Sequence, residues 1–307
     1  MKNLLVTICS YNRAERLPAL IRNLRQQTCP IPFSIVIINN NSTDNTLEIL
    51  QQLEKEPGAK LRFVTENKQG ISHARNRAIE ESLASDYMFV MDDDELPKPG
   101  ILAAVYHSLD SDNFDCVGGK VDVCFAPGTK PKWLNAELLG FLAETNYGND
   151  FFQITDSSTP IWTANIAYKT EVFRKNSSLR FDIRYNREGK AVGGGEDFMM
   201  FSAWFNQGYK LAYNPKMIVE HFIEDWRLKQ SYFFKLHFTA GKKKGLFDFP
   251  EYKNTIFGIP LFLFHQALSQ SLKTVKMYAF NHPNRVRQGM NTSYALGVIA
   301  GTYKKAS

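Results

Sequence analysis

Four carboxylates follow one another at Asp92-Asp93-Asp94-Glu95, directly after the apolar run Tyr87–Met91. Adjacent negative charges repel unless a cation neutralises them. A divalent metal with oxygen ligands does this and can also bridge to substrate phosphates. The plainer alternative is an acidic turn in solvent, which is less common directly after a buried strand. A second acidic pair, Glu196-Asp197, follows three glycines (193–195) and opens the helical stretch Phe198–Asn206. Glycines allow the backbone close to a ligand, and the dipole at a helix start favours carboxylates there. That suits a general base; a flexible turn with a helix-capping Asp would look the same. His221 follows the short strand Met217–Val219 and reads equally as a neutral metal ligand or as a structural histidine.

Several common chemistries are excluded. The chain has no G-x-x-x-x-G-K-[ST] and no G-x-G-x-x-G after its first strand, so a P-loop or a dinucleotide cradle is not expected. It also lacks H-E-x-x-H and G-x-S-x-G. A nucleotide bound here needs a metal clamp instead of a glycine-rich loop. Cys9, Cys29, Cys116 and Cys124 form no C-x-x-C pair, which argues for reduced thiols over a zinc site or a disulfide framework.

These residues need a scaffold, and the hydrophobic pattern supplies one. Leu4–Ile8, Phe33–Ile38, Lys60–Thr65, Tyr87–Met91 and Cys116–Val123 read as strands. Between them lie helices at Arg16–Gln27, around Leu47, Leu50 and Leu53, at His73–Leu83 and at Pro99–Leu109. Near-continuous apolar strands alternating with helices predict an α/β fold with a mainly parallel sheet covered on both faces. Ligands of such sheets bind beyond the carboxyl ends of the strands. The polar runs Ser10-Tyr11-Asn12-Arg13, Asn39-Asn40-Asn41-Ser42 and Asp92–Glu95 sit there.

The charge is uneven. The 307 residues carry +6 overall, but residues 227–307 hold thirteen Lys or Arg against two Asp or Glu, leaving −5 on residues 1–226. The same C-terminal stretch holds fourteen Phe or Tyr. Basic plus aromatic composition fits a membrane surface or a single-stranded nucleic acid, or a solvated face over a local core. The N-terminal apolar run, Leu4 to Cys9, is too short for a signal peptide, and no run of about 18 apolar residues predicts a spanning helix.

The ordered motifs resemble glycosyltransferase family 2, enzymes of the GT-A fold. The resemblance covers roughly residues 3–225. It rests on the segments 6–13 and 37–46, on Asn67–Gly70 with Ala74-Arg75-Asn76, on 89–95, on Thr163–Ala167, on Phe181-Asp182 and on the Gly-Gly-Glu-Asp run. The Asp-Asp-Asp-Glu form and the basic C-terminal region look most like bacterial enzymes that extend exopolysaccharide, capsule or lipopolysaccharide chains. The resemblance implies that Asp92 and Asp93 meet the ribose or sugar of a nucleotide-sugar, and that Asp94 and His221 hold Mn²⁺ or Mg²⁺. It further implies a donor pocket lined by Thr7, Ser10, Asn12, Arg16, Asn39, Asn41, Gly70 and Arg75. Trp162, Asn165 and Glu196 would meet the acceptor, and Asp197 would be the base of an inverting transfer.

One position departs from the family pattern. Asn39 stands where an Asp is usual. Its carbonyl can accept from a uracil N3–H and its amide can donate to a carbonyl, so UDP is favoured while dTDP and GDP stay open. Two other classes compete. A sugar-nucleotide nucleotidyltransferase would share the sheet and the metal carboxylates, yet its Gly- and basic-rich N-terminal signature is missing. A silent sugar- or nucleic-acid-binding relative would explain the basic tail but not the retained acidic residues.

The expected organisation is a catalytic domain over 1–226, with a nucleotide-sugar half at 1–125 and an acceptor half at 126–226. A basic, mostly helical extension follows at 227–307. The expected acceptor is a glycan or a polyprenyl-diphosphate-linked glycan, with no nucleic-acid partner. The expected location is cytoplasmic, peripheral at an anionic inner membrane face, with Lys242-Lys243-Lys244 and the Arg285 and Arg287 cluster as basic contacts and Ile259–Leu272, too polar to span, lying in the interface.

Overall fold

The computed structural model describes residues 1–188 and 191–306. Gly189, Lys190 and Ser307 lie outside the described residues. The chain forms two compact units. The first comprises Met1–Cys124, Ala143–Gly189 and Glu196–Phe222; the second comprises Phe125–Leu142, Lys190–Gly195 and Ile223–Ser307.

The first unit begins as the alternating pattern requires. β1 (Leu4–Ser10), α1 (Leu17–Arg25), β2 (Phe33–Asn39), α2 (Thr46–Leu53), β3 (Leu61–Thr65), α3 (Ile71–Ser82) and β4 (Tyr87–Asp92) succeed one another. The four strands lie in the order β3-β2-β1-β4, all parallel. Successive strand residues point to opposite faces, so each strand feeds two cores. Leu4, Val6 and Ile8 pack with Leu20 of α1 and Leu50 of α2. Leu5, Val36 and Ile38 pack on the other face with Ala74 and Ala78 of α3. Burial on both faces is why these strands read as unbroken apolar runs.

Beyond β4 the sheet changes character. β5 (Glu95–Pro97), α4 (Ile101–Tyr106), β6 (Cys116–Cys124), β7 (Phe152–Gln153), β8 (Asn165–Lys169), α5 (Thr170–Lys175), α6 (Glu196–Asn206) and β9 (Leu211–Phe222) complete the unit. β6 does not lie beside β4. β8 is inserted between them, antiparallel to both. β9 runs parallel to β6, while the edge strand β5 and the short β7 pair with β9 in antiparallel fashion. The strand expected at Met217–Val219 is therefore the end of a twelve-residue strand. Asn-Ile-Ala-Tyr-Lys of β8 carries no strong strand signal; its partners on both sides impose the conformation.

The second unit is mostly helical: α7 (Gln230–Lys243), β10 (Thr255–Ile256), β11 (Ile259–Pro260), α8 (Leu261–Ala279) and α9 (Arg285–Ala306). α7 and α9 cross with almost no space between them. A Cβ on Gly241 would lie 2.1 Å from Tyr294 O, and one on Gly297 would lie 2.2 Å from Phe238 O. The two helices pack backbone against backbone, and glycine is what permits it. Lys242 and Lys243 are consequently half-buried, with only Lys244 of the triplet exposed. Lys243 Nζ donates to Gly194 O at 3.2 Å.

Candidate active site

β1, β2 and β4 end side by side, and their last residues line one edge of the sheet. The ladder pairs Ser10 with Asn39 and Cys9 with Asp92. The loops that follow β1 and β2 are latched together. Asn12, in the left-handed region at φ 54°, receives an N–H from Thr43 on its Oδ1 at 2.7 Å and donates its backbone N–H to Ser42 Oγ at 3.0 Å. Asn39 is buried and accepts from Ser42 N–H on its Oδ1 at 3.2 Å. That carbonyl is thus already engaged once, leaving its second lone pair and the amide protons for a ligand. Asn41 takes the left-handed turn conformation at φ 57°. Ser10 is buried at the strand end, and Arg16 occupies the N-cap position of α1.

Two donor-pocket candidates sit deeper. The Thr7 hydroxyl donates to Phe89 O within the sheet at 3.2 Å. Gly70 stands at the N-cap of α3 with φ 132°, and a Cβ there would fall 1.9 Å from the Asn186 amide. The loop leading to it is pinned by Asn40, which the sequence marked only as part of the polar run after β2. Asn40 donates to Lys68 O at 2.8 Å and accepts from Gly70 N–H at 2.7 Å.

Arg13 approaches the middle of the carboxylate run. Arg13 Nε lies 3.3 Å from Asp93 Oδ1, and its Nη2 lies 4.0 Å from Asp94 Oδ2. Burial, then the charge of Asp94, pushes the Asp93 carboxyl up to about 7, with Arg13 opposing. Glu95 turns inward and accepts from Asp92 N–H at 3.0 Å; burial and its acidic neighbours raise its pKa well above the usual carboxylate range. His221 arrives from β9 because Glu95 and His221 are partners in the β5–β9 ladder. Its Nε2 comes within 3.4 Å of Asp94 Oδ2.

A carboxylate oxygen and an imidazole nitrogen side by side suit a divalent cation. Among the described residues, no group of three or more His, Cys, Asp or Glu side chains is set to enclose a metal ion. Asp94 and His221 would supply two of the ligands such an ion needs.

The second acidic pair is built around Arg75. This residue of α3 is 3% exposed. Its Nη1 donates to Glu196 Oε1 at 3.0 Å and to Asp197 Oδ1 at 2.5 Å; its Nη2 lies 3.5 Å from Asp92 Oδ1. The guanidinium also lies over the Phe181 ring, 5.4 Å from its centroid. Burial opposes the Arg75 charge, but Asp197, Asp92 and Glu196 outweigh it and raise its pKa further. Asp197 accepts a second hydrogen bond from Thr163 Oγ1. Behind it lies a small cavity lined by Ile161, Ile166, Tyr168 and Trp204. Burial against this wall pushes the Asp197 carboxyl up to about 6, although Arg75 pulls it down.

Arg75 thus joins the end of β4 to the start of α6. It was expected in the base and ribose pocket, and the structure places it between Asp92 and the candidate base. Asn165 lies in β8, where its amide donates to Lys120 O and Met217 O, both at 2.9 Å, across a register shift in the β6–β9 ladder. Trp162 is half-buried three residues earlier, and its carbonyl accepts from Asn165 N–H. Arg13 and Thr163 complete the two clusters although neither stood out as a site residue. Arg13 was legible only as part of the polar run after β1, and Thr163 only as the first residue of the Thr163–Ala167 segment of the resemblance.

The model of glycosyl transferase family 2 matches residues 5–177. The chain belongs to that family. This glycosyltransferase is 23% identical to the succinoglycan biosynthesis protein ExoM of Rhizobium meliloti over 78% of its own length and 73% of that protein. It is 31% identical to the teichoic acid poly(glycerol phosphate) polymerase of Staphylococcus epidermidis over 31% of its own length, which is only 13% of that polymerase. Among solved structures, TarS 1–349 of S. aureus in complex with UDP-GlcNAc superposes with a TM-score of 0.52 at 15% identity, covering 81% of this chain and 68% of that one. GalNAc-T7 with UDP, GalNAc and Mn²⁺ gives 0.57 at 15% identity, covering 88% and 51%. The fold of this family 2 enzyme is GT-A.

Proposed function

We propose that this glycosyltransferase moves a sugar from a nucleotide-sugar, a UDP-sugar by preference, to a hydroxyl of a glycan or polyprenyl-diphosphate-linked glycan, with inversion, in bacterial surface polysaccharide synthesis. The observation that carries the reading is Arg75, which ties Asp92, at the donor end of β4, to Asp197. Donor and base are then held within the reach of one guanidinium, and catalysis is mainly positioning and electrostatics.

In this reading Asp197 accepts the proton of the acceptor hydroxyl while the oxygen bonds to the anomeric carbon. The bond from that carbon to the diphosphate oxygen breaks, and its electron pair leaves with the nucleotide. Burial keeps Asp197 basic, and Arg75 keeps it ionised at neutral pH. Glu196 and Trp162 face the acceptor, with Asn165 bracing the strand beside them. Ser10, Asn12, Asn39, Asn41 and Asp93 hold the nucleotide, with Thr7, Arg16 and Gly70 in support. Mn²⁺ or Mg²⁺ held by Asp94 and His221 would offset the charge of the leaving diphosphate; GalNAc-T7, a structure of the same fold, contains Mn²⁺.

Residues 1–125 would serve the donor, 126–226 the acceptor, and 227–307 docking. Among the described residues no helix is long and apolar enough to cross a membrane. Association with the cytoplasmic membrane face would then be peripheral, supported by the basic aromatic composition of 227–307. Release of UDP from a panel of UDP-sugars, with Mn²⁺ and a glycan acceptor, tests the activity. Absence of release from every donor, with UDP still bound, would favour a silent sugar-binding relative.

A further inference from the structure

α8 has two apolar faces. One is satisfied: Leu263 packs with Val298 of α9, and Thr274 Oγ1 meets Thr292 Oγ1 of α9 at 2.8 Å. The other is not. Leu261, Phe264, Leu268, Leu272 and Val275 recur at i, i+3, i+7, i+11 and i+14, which places them in one stripe. All five are exposed, by 41% to 67%. Directly before the helix, the β10–β11 hairpin turns through Phe257 and Gly258, both at positive φ. Phe257 is 80% exposed at that tip. A bulky side chain in the left-handed region, held out in water, is uncommon. A continuous apolar stripe of this length marks an interaction surface.

Charge decides what it meets. Residues 252–307 contain seven Lys or Arg and no Asp or Glu. Lys273 and Lys276 on α8 are exposed beside the stripe. A second copy docked through this face would bring like charges together with no carboxylate of the segment to neutralise them. An anionic bilayer removes that repulsion and accepts the apolar stripe in the same plane.

We propose that the exposed face of α8, with the Phe257 hairpin tip, is the surface by which this protein lies on an anionic lipid bilayer. This rests on the membrane part of the proposed function and puts the contact on α8 in place of Lys242 and Lys243, which are half-buried. Binding is peripheral and weakens with salt as the lysine contribution is screened.

Co-sedimentation of the full chain with phosphatidylcholine vesicles, with and without phosphatidylglycerol, tests it. The parent should pellet with the anionic vesicles at low salt and release at high salt. Leu268→Glu with Leu272→Glu should lower partitioning by roughly ten-fold or more. Lys273→Glu with Lys276→Glu should lower it by at least about thirty-fold and flatten the salt dependence. Both variants should keep the parent's thermal melting and its UDP binding, since α8 carries no donor residue. Equal pelleting of the parent and the leucine variant would overturn the assignment of the face while leaving membrane association standing. No pelleting of the parent would overturn both. A parent that dimerises in solution, becomes monomeric in the leucine variant and ignores vesicles would make the stripe a self-interface and overturn the proposal.

Discussion

The two acidic clusters differ in how their charge is balanced. At Asp92–Glu95 the counter-charge is divided: Arg13 approaches Asp93 and Asp94 at 3.3 and 4.0 Å, and Arg75 reaches Asp92 at 3.5 Å. At Glu196-Asp197 two carboxylates share Arg75, which is fully buried and within 3.0 Å of both. The first cluster is open to a further cation; the second brings its own. Neutralisation from within holds the Asp197 carboxylate in place and, on the proposed reading, keeps it ionised until it takes the acceptor proton. The longer contacts at the Asp92–Glu95 edge hold its carboxylates less tightly than Arg75 holds Glu196 and Asp197.

The largest expected effect lies in the self-contained cluster. Asp197→Asn keeps the shape and removes the basicity. kcat should fall by roughly 10²–10⁴-fold, the range for a lost general base, while UDP affinity by calorimetry stays near the parent's. Full turnover in the variant would place the base elsewhere.

Arg75→Met should follow. It leaves Glu196 and Asp197 buried without their counter-charge, at a cost of about 3–5 kcal/mol, read as a lowered urea midpoint. If the midpoint is unmoved, the guanidinium is not what balances this pair. Arg75→Lys should recover part of the stability but not the paired geometry, because an ammonium cannot present a planar fork.

The open cluster should respond to metal instead. Asp94→Ala is expected to weaken UDP binding in the presence of Mn²⁺ by at least about ten-fold, and to leave metal-free binding unchanged. His221→Ala should do less, since a neutral ligand contributes less than an anionic one at a hard cation. Equal affinities with and without Mn²⁺ in the parent would remove the difference between the clusters altogether.

The smallest effect is in pH. A base with a pKa of about 6 is protonated below that value, so kcat should drop about ten-fold per pH unit under pH 6 and level off above it. Asp197→Asn should abolish this limb. In Arg75→Lys the limb should move to higher pH if the weaker contact lets the burial of Asp197 dominate. A parent profile flat from pH 5 to 8 would separate Asp197 from the rate-limiting proton transfer.

Much of this was legible in the sequence, in particular places and for local reasons. The strands Leu4–Ser10, Phe33–Asn39, Leu61–Thr65 and Tyr87–Asp92 announced themselves because burial on both faces demands unbroken apolar runs. Their polar successors then had to stand at the carboxyl edge of the sheet, which is where Ser10, Asn39 and Asp92 are. α6 began at Glu196, as the glycines before it suggested, because glycine ends one element and the acidic pair favours the start of the next. Asn165 looked like a site residue; in the fold its Nδ2 donates to two backbone carbonyls, a bracing role that no local pattern announced.

What the sequence determined by itself was whatever a window of a few residues encodes: periodicity, turn chemistry and the types of residue at strand ends. The tertiary structure alone decided which distant segments meet. β8 enters between β4 and β6 because its neighbours' open hydrogen-bonding edges accept it, not because Asn165–Lys169 insists on a strand. His221 reaches Asp94 because β9 is long enough to carry it along β5. Arg75 meets Glu196, 121 residues away, because α3 and α6 cover the same face of the sheet. Such meetings rest on packing summed over the whole chain, and no local pattern carries that sum.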